Sequence, residues 1–168
     1  MSGETGREEI GDTATRLALD AFLPYRLSVL ANTVSQSIAR LYSERFGLST
    51  AEWRAMAVLG AYAPLSAGDV ARRTAMDKVR VSRAIARLVR RGLVARRTDA
   101  GDRRRSVLRL SREGGRVYRD IVPSALAVEA ELMAALPEPE RRALDRLLTA
   151  LQARAQRLNQ DGGGEPFG

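Results

Sequence analysis

Cysteine and histidine are both absent from the 168 residues. Their absence removes disulfides, thiol redox sensing and cysteine nucleophiles, and it takes away the usual sulfur and nitrogen ligands of a zinc site. Any metal would need an all-carboxylate cluster, and the sequence contains none. Lysine is nearly missing too: Lys78 is the only one, so the remaining basic residues are arginine. Arginine forks suit phosphate and guanine, although a GC-rich genome produces the same bias. No apolar run approaches the roughly 18 residues of a membrane span. The N-terminus is polar and acidic, so no signal peptide is expected and a cytoplasmic location follows by default. No glycine loop precedes a helix in a phosphate-cradling pattern, and Ser82 beside Arg83 lacks a base. An enzyme is therefore not expected, and neither is a cofactor or metal.

What is present is a concentration of positive charge. A chain of this length favours one domain. Its net charge is +8, yet Asp69–Arg112 alone holds fifteen arginines and lysines against four acids, a local balance of +11. The rest of the chain is net acidic. One basic surface is implied, with a polyanion as its partner.

The chain in order supports that centre. Residues 1–19 are polar and glycine-containing and read as a flexible arm. From Asp20, the spacing of Leu23, Leu27, Leu30, Val34, Ile38 and Leu41 predicts an amphipathic helix ending near Gly47, with Pro24 confined to its first turn. Ser49-Thr50-Ala51-Glu52 is a capping box and opens a second helix, closed between Gly60 and Leu65. Ser66-x-x-Asp69 opens a short third helix with Val70, Ala71 and Ala75 as its buried side. Asp77 caps a fourth, whose core face is Val81, Ala84, Ile85 and Leu88 and which Gly92 ends. Leu93–Arg97 and Ser106–Leu110 alternate as strands around a polar turn. A fifth helix begins at Ser111 and runs to about Leu136, interrupted or bent at Pro123. A sixth begins after Pro137, with Leu144, Leu147, Leu148 and Leu151 as an apolar stripe. Residues 159–168 read as a disordered tail. The fold class is mainly α with a small β-hairpin wing.

Two short helices, the second basic, followed by a basic hairpin form a winged helix-turn-helix over about residues 49–111. The fourth helix has the dimensions to enter a major groove about 12 Å wide. Lys78, Arg80, Ser82, Arg83 and Arg87 would face base edges and phosphates. An arginine there pairs with guanine through two hydrogen bonds, worth about 1–3 kcal/mol of discrimination. At the hairpin tip Arg103, Arg104 and Arg105 suit the adjoining minor groove, with Asp102 placed to hold Arg104 extended. A basic helix face can also be merely solvated, and Arg72, Arg90 and Arg91 carry that reading most readily. The ordered succession of helix, turn, helix and hairpin favours nucleic acid.

These same residues resemble the MarR family of bacterial transcription regulators. Ser82-Arg83, Leu88 and Gly92-Leu93-Val94 resemble its recognition-helix pattern. Asp99-x-x-Asp102-Arg103-Arg104 followed by Leu108-x-Leu110-Ser111 resembles its wing signature, with Ser111 where threonine is commoner. The resemblance covers roughly Asp20 to Leu158. It implies dimerisation helices at about 20–47 and 112–158 and a homodimer on a pseudo-palindromic duplex site, its recognition helices about 34 Å apart. Leu17, Leu19, Phe22 and Leu23 at one end, and the leucine stripe at the other, have no obvious partner within the chain, although an intrachain bundle is the alternative.

The resemblance also implies a small-molecule effector bound near the dimer helices, and repression relieved by it. Tyr25, Arg26, Asn32, Gln36, Arg40, Tyr42, Trp53 and Tyr62 mix aromatic walls with a cation, which suits an aromatic acid or its CoA thioester. Aromatics at helical spacing are more usually core. Two further alternatives stay open: a ligand-independent architectural DNA binder, and an RNA-binding winged helix, against which the absence of aromatics on the basic face argues.

Overall fold

The computed structural model describes residues 17–98 and 106–161. Six helices and one hairpin follow in the order α1 (Leu23–Phe46), α2 (Thr50–Tyr62), α3 (Ala67–Thr74), α4 (Lys78–Arg90), β1 (Val94–Thr98), β2 (Ser106–Leu110), α5 (Arg112–Ala134) and α6 (Glu138–Asp161). They fall into two units, Met1–Ser37 and Ile38–Gly168. Among the described residues, no helix is long and apolar enough to cross a membrane.

The first unit holds the opening half of α1 and the turn before it. The N–H of Phe22 donates to the Leu19 carbonyl at 3.1 Å, and the helix begins at Leu23, the first residue of its periodic series. Pro24 sits in the first turn, where its missing N–H would have no helical partner anyway. Leu19, Phe22, Leu23, Leu27 and Leu30 are all exposed.

In the second unit each helix start is set by a local cap. Ser49 and Glu52 complete a capping box, as do Ser66 and Asp69, while Asp77 and Ser111 each accept from the backbone N–H three residues on. The caps stack α2, α3 and α4 around one core of Met56, Leu59, Val70, Val81, Ile85 and Leu88, closed by Leu108 of the hairpin and by Val117 and Ile121 of α5. Strands β1 and β2 pair antiparallel with Val94 opposite Leu110 and Thr98 opposite Ser106. Leu65 adds a short third edge by exchanging backbone hydrogen bonds with Leu108 at 3.2 and 2.8 Å.

Several boundaries differ from the sequence expectation. Ala75 is not on the buried side of α3; it is the left-handed residue that ends the helix, at φ 52°, and Met76 is buried instead. Helix α2 ends at Tyr62, within the expected Gly60–Leu65 window, and Gly60 itself makes room for the Tyr118 ring: a Cβ there would lie 2.5 Å from Cε2 of that ring. The fifth helix is not interrupted at Pro123 but continuous to Ala134. Strand β1 runs one residue further, to Thr98. Helix α6 reaches Asp161, so residues 159–161 are helical and not part of a tail. Leu147, Leu148, Leu151 and Leu158 are exposed along it. The expected arm before Leu17, the tail beyond Asp161 and the wing tip at 99–105 lie outside the described residues.

Candidate nucleic-acid interface

Helix α4 has two opposite faces. Val81, Ala84, Ile85 and Leu88 are buried, while Lys78, Arg80, Ser82, Arg83 and Arg87 are all exposed. The division follows the 3.6-residue repeat, which puts the apolar positions on one stripe and leaves the cations on the other. The Asp77 carboxylate accepts from the Arg80 N–H at 2.7 Å, so the acid beside the basic face is engaged in holding the helix start. A cleft of about 530 Å³ separates this face from the first turn of α2, lined by Ser49, Thr50, Asp77, Arg80, Arg83 and Arg87. The partial positive charge at the start of α2 adds to that of the arginines.

The remaining cations divide by what they touch. Arg72 pairs with Asp69, and Arg73 lies 4.1 Å over the Tyr62 ring. Arg91 donates to the carbonyl oxygens of Gly47 (3.1 Å) and Phe46, where α1 ends. These three arginines stabilise the lobe, so the local charge of +11 overstates the surface open to a polyanion. Arg97 and Arg109, by contrast, share one face of the hairpin. The register pairs Arg97 with Val107 and Ala95 with Arg109, and side chains directly opposite on a ladder point the same way. With Arg112 they line a cleft of about 780 Å³ floored by Pro64 and Leu110. Sequence reasoning counted these arginines without grouping them; the alternation of the two strands is the signal that, once the register is known, places them together. Asp102, Arg103, Arg104 and Arg105, the expected wing-tip contacts, lie outside the described residues.

The wing is joined rigidly to α5 at its base. The Ser111 hydroxyl donates to the Gly92 carbonyl at 2.6 Å and accepts from the Gly114 N–H at 2.9 Å, while the Ser111 N–H donates to Leu93 at 3.0 Å. Gly92 takes φ 70°, the left-handed conformation that turns the chain from α4 into β1.

Tyr25 and Arg26 line a single cleft of about 580 Å³ along the start of α1, with Asp20, Leu23, Leu27 and Leu30. Asn32, Gln36 and Arg40 are exposed on the same helix. Tyr42 is buried, donating to the Thr50 hydroxyl at 3.1 Å, and stacks at 5.7 Å on Trp53, which in turn stacks at 6.1 Å on Tyr118. Tyr42 and Trp53 therefore belong to a packed aromatic column whose third member, Tyr118, had no signal in local sequence. Tyr62 lies under Arg73.

Comparison with known proteins gives a consistent result. A model of the MarR family matches residues 46–105, from the end of α1 to the wing. The structure is similar to a MarR-family transcriptional regulator from Silicibacter pomeroyi, with 28% identity, a TM-score of 0.72, and coverage of 83% of this chain and 95% of that one. It shares its fold with MepR of S. aureus, solved as a DNA complex (22% identity, TM-score 0.69, 79% and 98% coverage). It also shares it with BpsR of Bordetella bronchiseptica, whose DNA binding is regulated by 6-hydroxynicotinic acid (24% identity, TM-score 0.69, 82% and 97% coverage). No curated protein matches the sequence.

Proposed function

We propose that the chain, whose residues 46–105 match a model of the MarR family and whose structure is similar to a MarR-family transcriptional regulator, is a DNA-binding transcription regulator of that family that acts as a homodimer on a pseudo-palindromic operator, as a repressor released by a small aromatic acid or its CoA thioester. The observation that carries the reading is the division of α4 into a buried apolar stripe and an exposed basic one. Such a helix, anchored from behind, presents its N-terminal half to a major groove. Lys78, Arg80, Ser82, Arg83 and Arg87 are the proposed recognition residues, and Asp102, Arg103, Arg104 and Arg105 the proposed wing contacts. Arg97, Arg109 and Arg112 extend the phosphate-binding surface along the wing.

The winged unit is assigned to about 49–111 and the dimerisation helices to about 20–47 and 112–158. The exposed leucines of α1 and α6 support that assignment, since apolar stripes of this length mark an interaction surface. For the effector, Tyr25 beside Arg26 supplies an aromatic wall and a cation in one cleft, and control of BpsR by an aromatic acid gives a precedent on the same fold.

Footprinting of the chain's own promoter region across a salt series tests this. A protected two-fold site whose affinity falls steeply with salt is expected. Arg83→Ala then relaxes sequence preference, and Arg104→Ala weakens binding through the wing. Better competition by structured RNA than by duplex DNA at matched salt would overturn the reading.

A further inference from the structure

Val79 is the anomaly on the DNA-facing side of α4. It is 59% exposed, a branched apolar side chain between Lys78 and Arg80 on the first turn of a basic helix. Valine is a poorer helix former than alanine or arginine, and its side chain lies across the cleft from Ser49, Thr50 and Ala51, outside the packed core. Helical spacing puts Val79, Arg83 and Ala86 on one outward ridge, opposite the buried stripe of Val81, Ala84, Ile85 and Leu88. That ridge is the part of the helix that penetrates deepest when α4 enters a groove.

We propose that Val79 is a specificity-determining residue that contacts the C5-methyl group of a thymine, one or two base pairs from the guanine read by Arg83. The inference rests on the operator-binding reading above and adds a base to it. An aliphatic side chain has no donor or acceptor for a phosphate or a base edge. The one apolar feature that a base pair displays in the major groove is the thymine methyl. Side chains four apart on a helix have Cβ atoms about 5–6 Å apart, and bases on one strand step by about 3.4 Å. The two contacts therefore fall on neighbouring or next-neighbouring base pairs.

The test pairs a change in the protein with a change in the DNA. Once the wild-type footprint fixes the operator, each dT of a half-site is replaced singly by dU, which removes only the methyl. Affinity is then read by fluorescence anisotropy for the wild type and Val79→Ala. At one dT position the wild type loses about fourfold per half-site, the equivalent of one buried methyl group. Val79→Ala loses a similar factor on the dT operator and nothing further on the dU operator, with its salt dependence unchanged because no charge is altered. Equal weakening of both operators by Val79→Ala, or a wild type indifferent to dU at every position, overturns the proposal. A wild type with no footprint at all removes the regulator reading, and this inference with it, so the two failures are distinct. Val79 is outside the core, so the variant folds.

Discussion

Arg91 donates from its guanidinium to the Gly47 carbonyl oxygen at 3.1 Å, a bond between groups 44 residues apart that ties the end of α4 to the end of α1. The last carbonyls of a helix lack partners within it, and a cation there also meets the negative pole of the helix dipole. Arg91 is thus a cap, although in sequence it is one more arginine of the basic stretch. Arg91→Ala is expected to lower stability by about 1 kcal/mol, a charged hydrogen bond discounted for its exposure. It should leave the salt dependence of operator binding almost unchanged. Arg87→Ala should do the reverse, reducing the salt slope by about 1 and barely moving the urea midpoint. A slope for Arg91→Ala that matches Arg87→Ala would make Arg91 a phosphate contact instead.

Gly114 and Gly115 look interchangeable in sequence, yet their surroundings differ sharply. A Cβ on Gly114 would lie 1.9 Å from the Leu93 carbonyl oxygen, a backbone atom held by the Ser111 N–H. A Cβ on Gly115 would meet only the end of the Arg119 side chain at 3.3 Å. Gly114→Ala should therefore destabilise by about 3 kcal/mol, the upper end for overpacking, because the wing base must shift. Gly115→Ala should be neutral or stabilising by up to about 1 kcal/mol through helix propensity. Thermal denaturation of the two variants separates these outcomes. A Gly114→Ala protein that melts with the wild type would show that the wing and α5 are loosely joined.

Acid should loosen α3 through a definite group. The Ser66 hydroxyl and N–H donate to the Asp69 carboxylate, and Arg72 pairs with it, holding its pKa at about 2 against the usual 3.8. A carboxyl with a lowered folded value binds fewer protons in the folded chain, so its contribution to stability is complete above the unfolded value. It is lost as pH falls from about 4 toward 2. Urea unfolding of the wild type and Asp69→Asn should differ by a constant amount above pH 4 and converge as pH approaches 2. Ser66→Ala removes the largest cause of the shift, the hydroxyl hydrogen bond, and should move that loss to higher pH. A difference that persists undiminished at pH 2 would rule out titration of Asp69 as the cause.

Local signals in the sequence were enough for the starts of α2, α3, α4 and α5 and for the division of α4 into a buried apolar and an exposed basic face. Ser49, Ser66, Asp77 and Ser111 act within three residues of themselves, and the core stripe of α4 follows from spacing alone, so both were readable in advance. Ala75 was misplaced because apolar spacing does not distinguish a buried alanine from one that ends a helix in a left-handed turn while the next residue, Met76, is buried. The end of α2 between Gly60 and Leu65 was readable, but nothing near Gly60 reveals the Tyr118 ring that needs its space from 58 residues away. Likewise Arg72, Arg73 and Arg91 differ from Arg83 only in having Asp69, Tyr62 and the end of α1 within reach. Partners as near as Asp69 and as far as the end of α1 sort the basic residues into structural and open ones, and the hairpin register places Arg97 and Arg109 on one face.

The proposed dimer makes the sharpest demand on α6. Leu147, Leu148 and Leu151 are 61%, 45% and 43% exposed, an apolar stripe on an otherwise charged helix. Fully covering one leucine is worth roughly 1.5–3 kcal/mol, and two-fold symmetry counts each position twice. The two positions together expose about one leucine's worth of surface per protomer, so Leu147→Glu with Leu151→Glu removes on the order of 3–6 kcal/mol from a dimer that buries them, about two to four powers of ten in its dissociation constant. Sedimentation should then report a monomer at concentrations where the wild type is dimeric. Where circular dichroism shows the helices retained, the footprint should vanish, since one recognition helix loses the multiplied affinity of two linked half-sites. A variant that stays dimeric and keeps its footprint would place the dimer contact away from α6 and leave the start of α1 and the turn before it, with Phe22, Leu23 and Leu27 exposed, as the surface to change next.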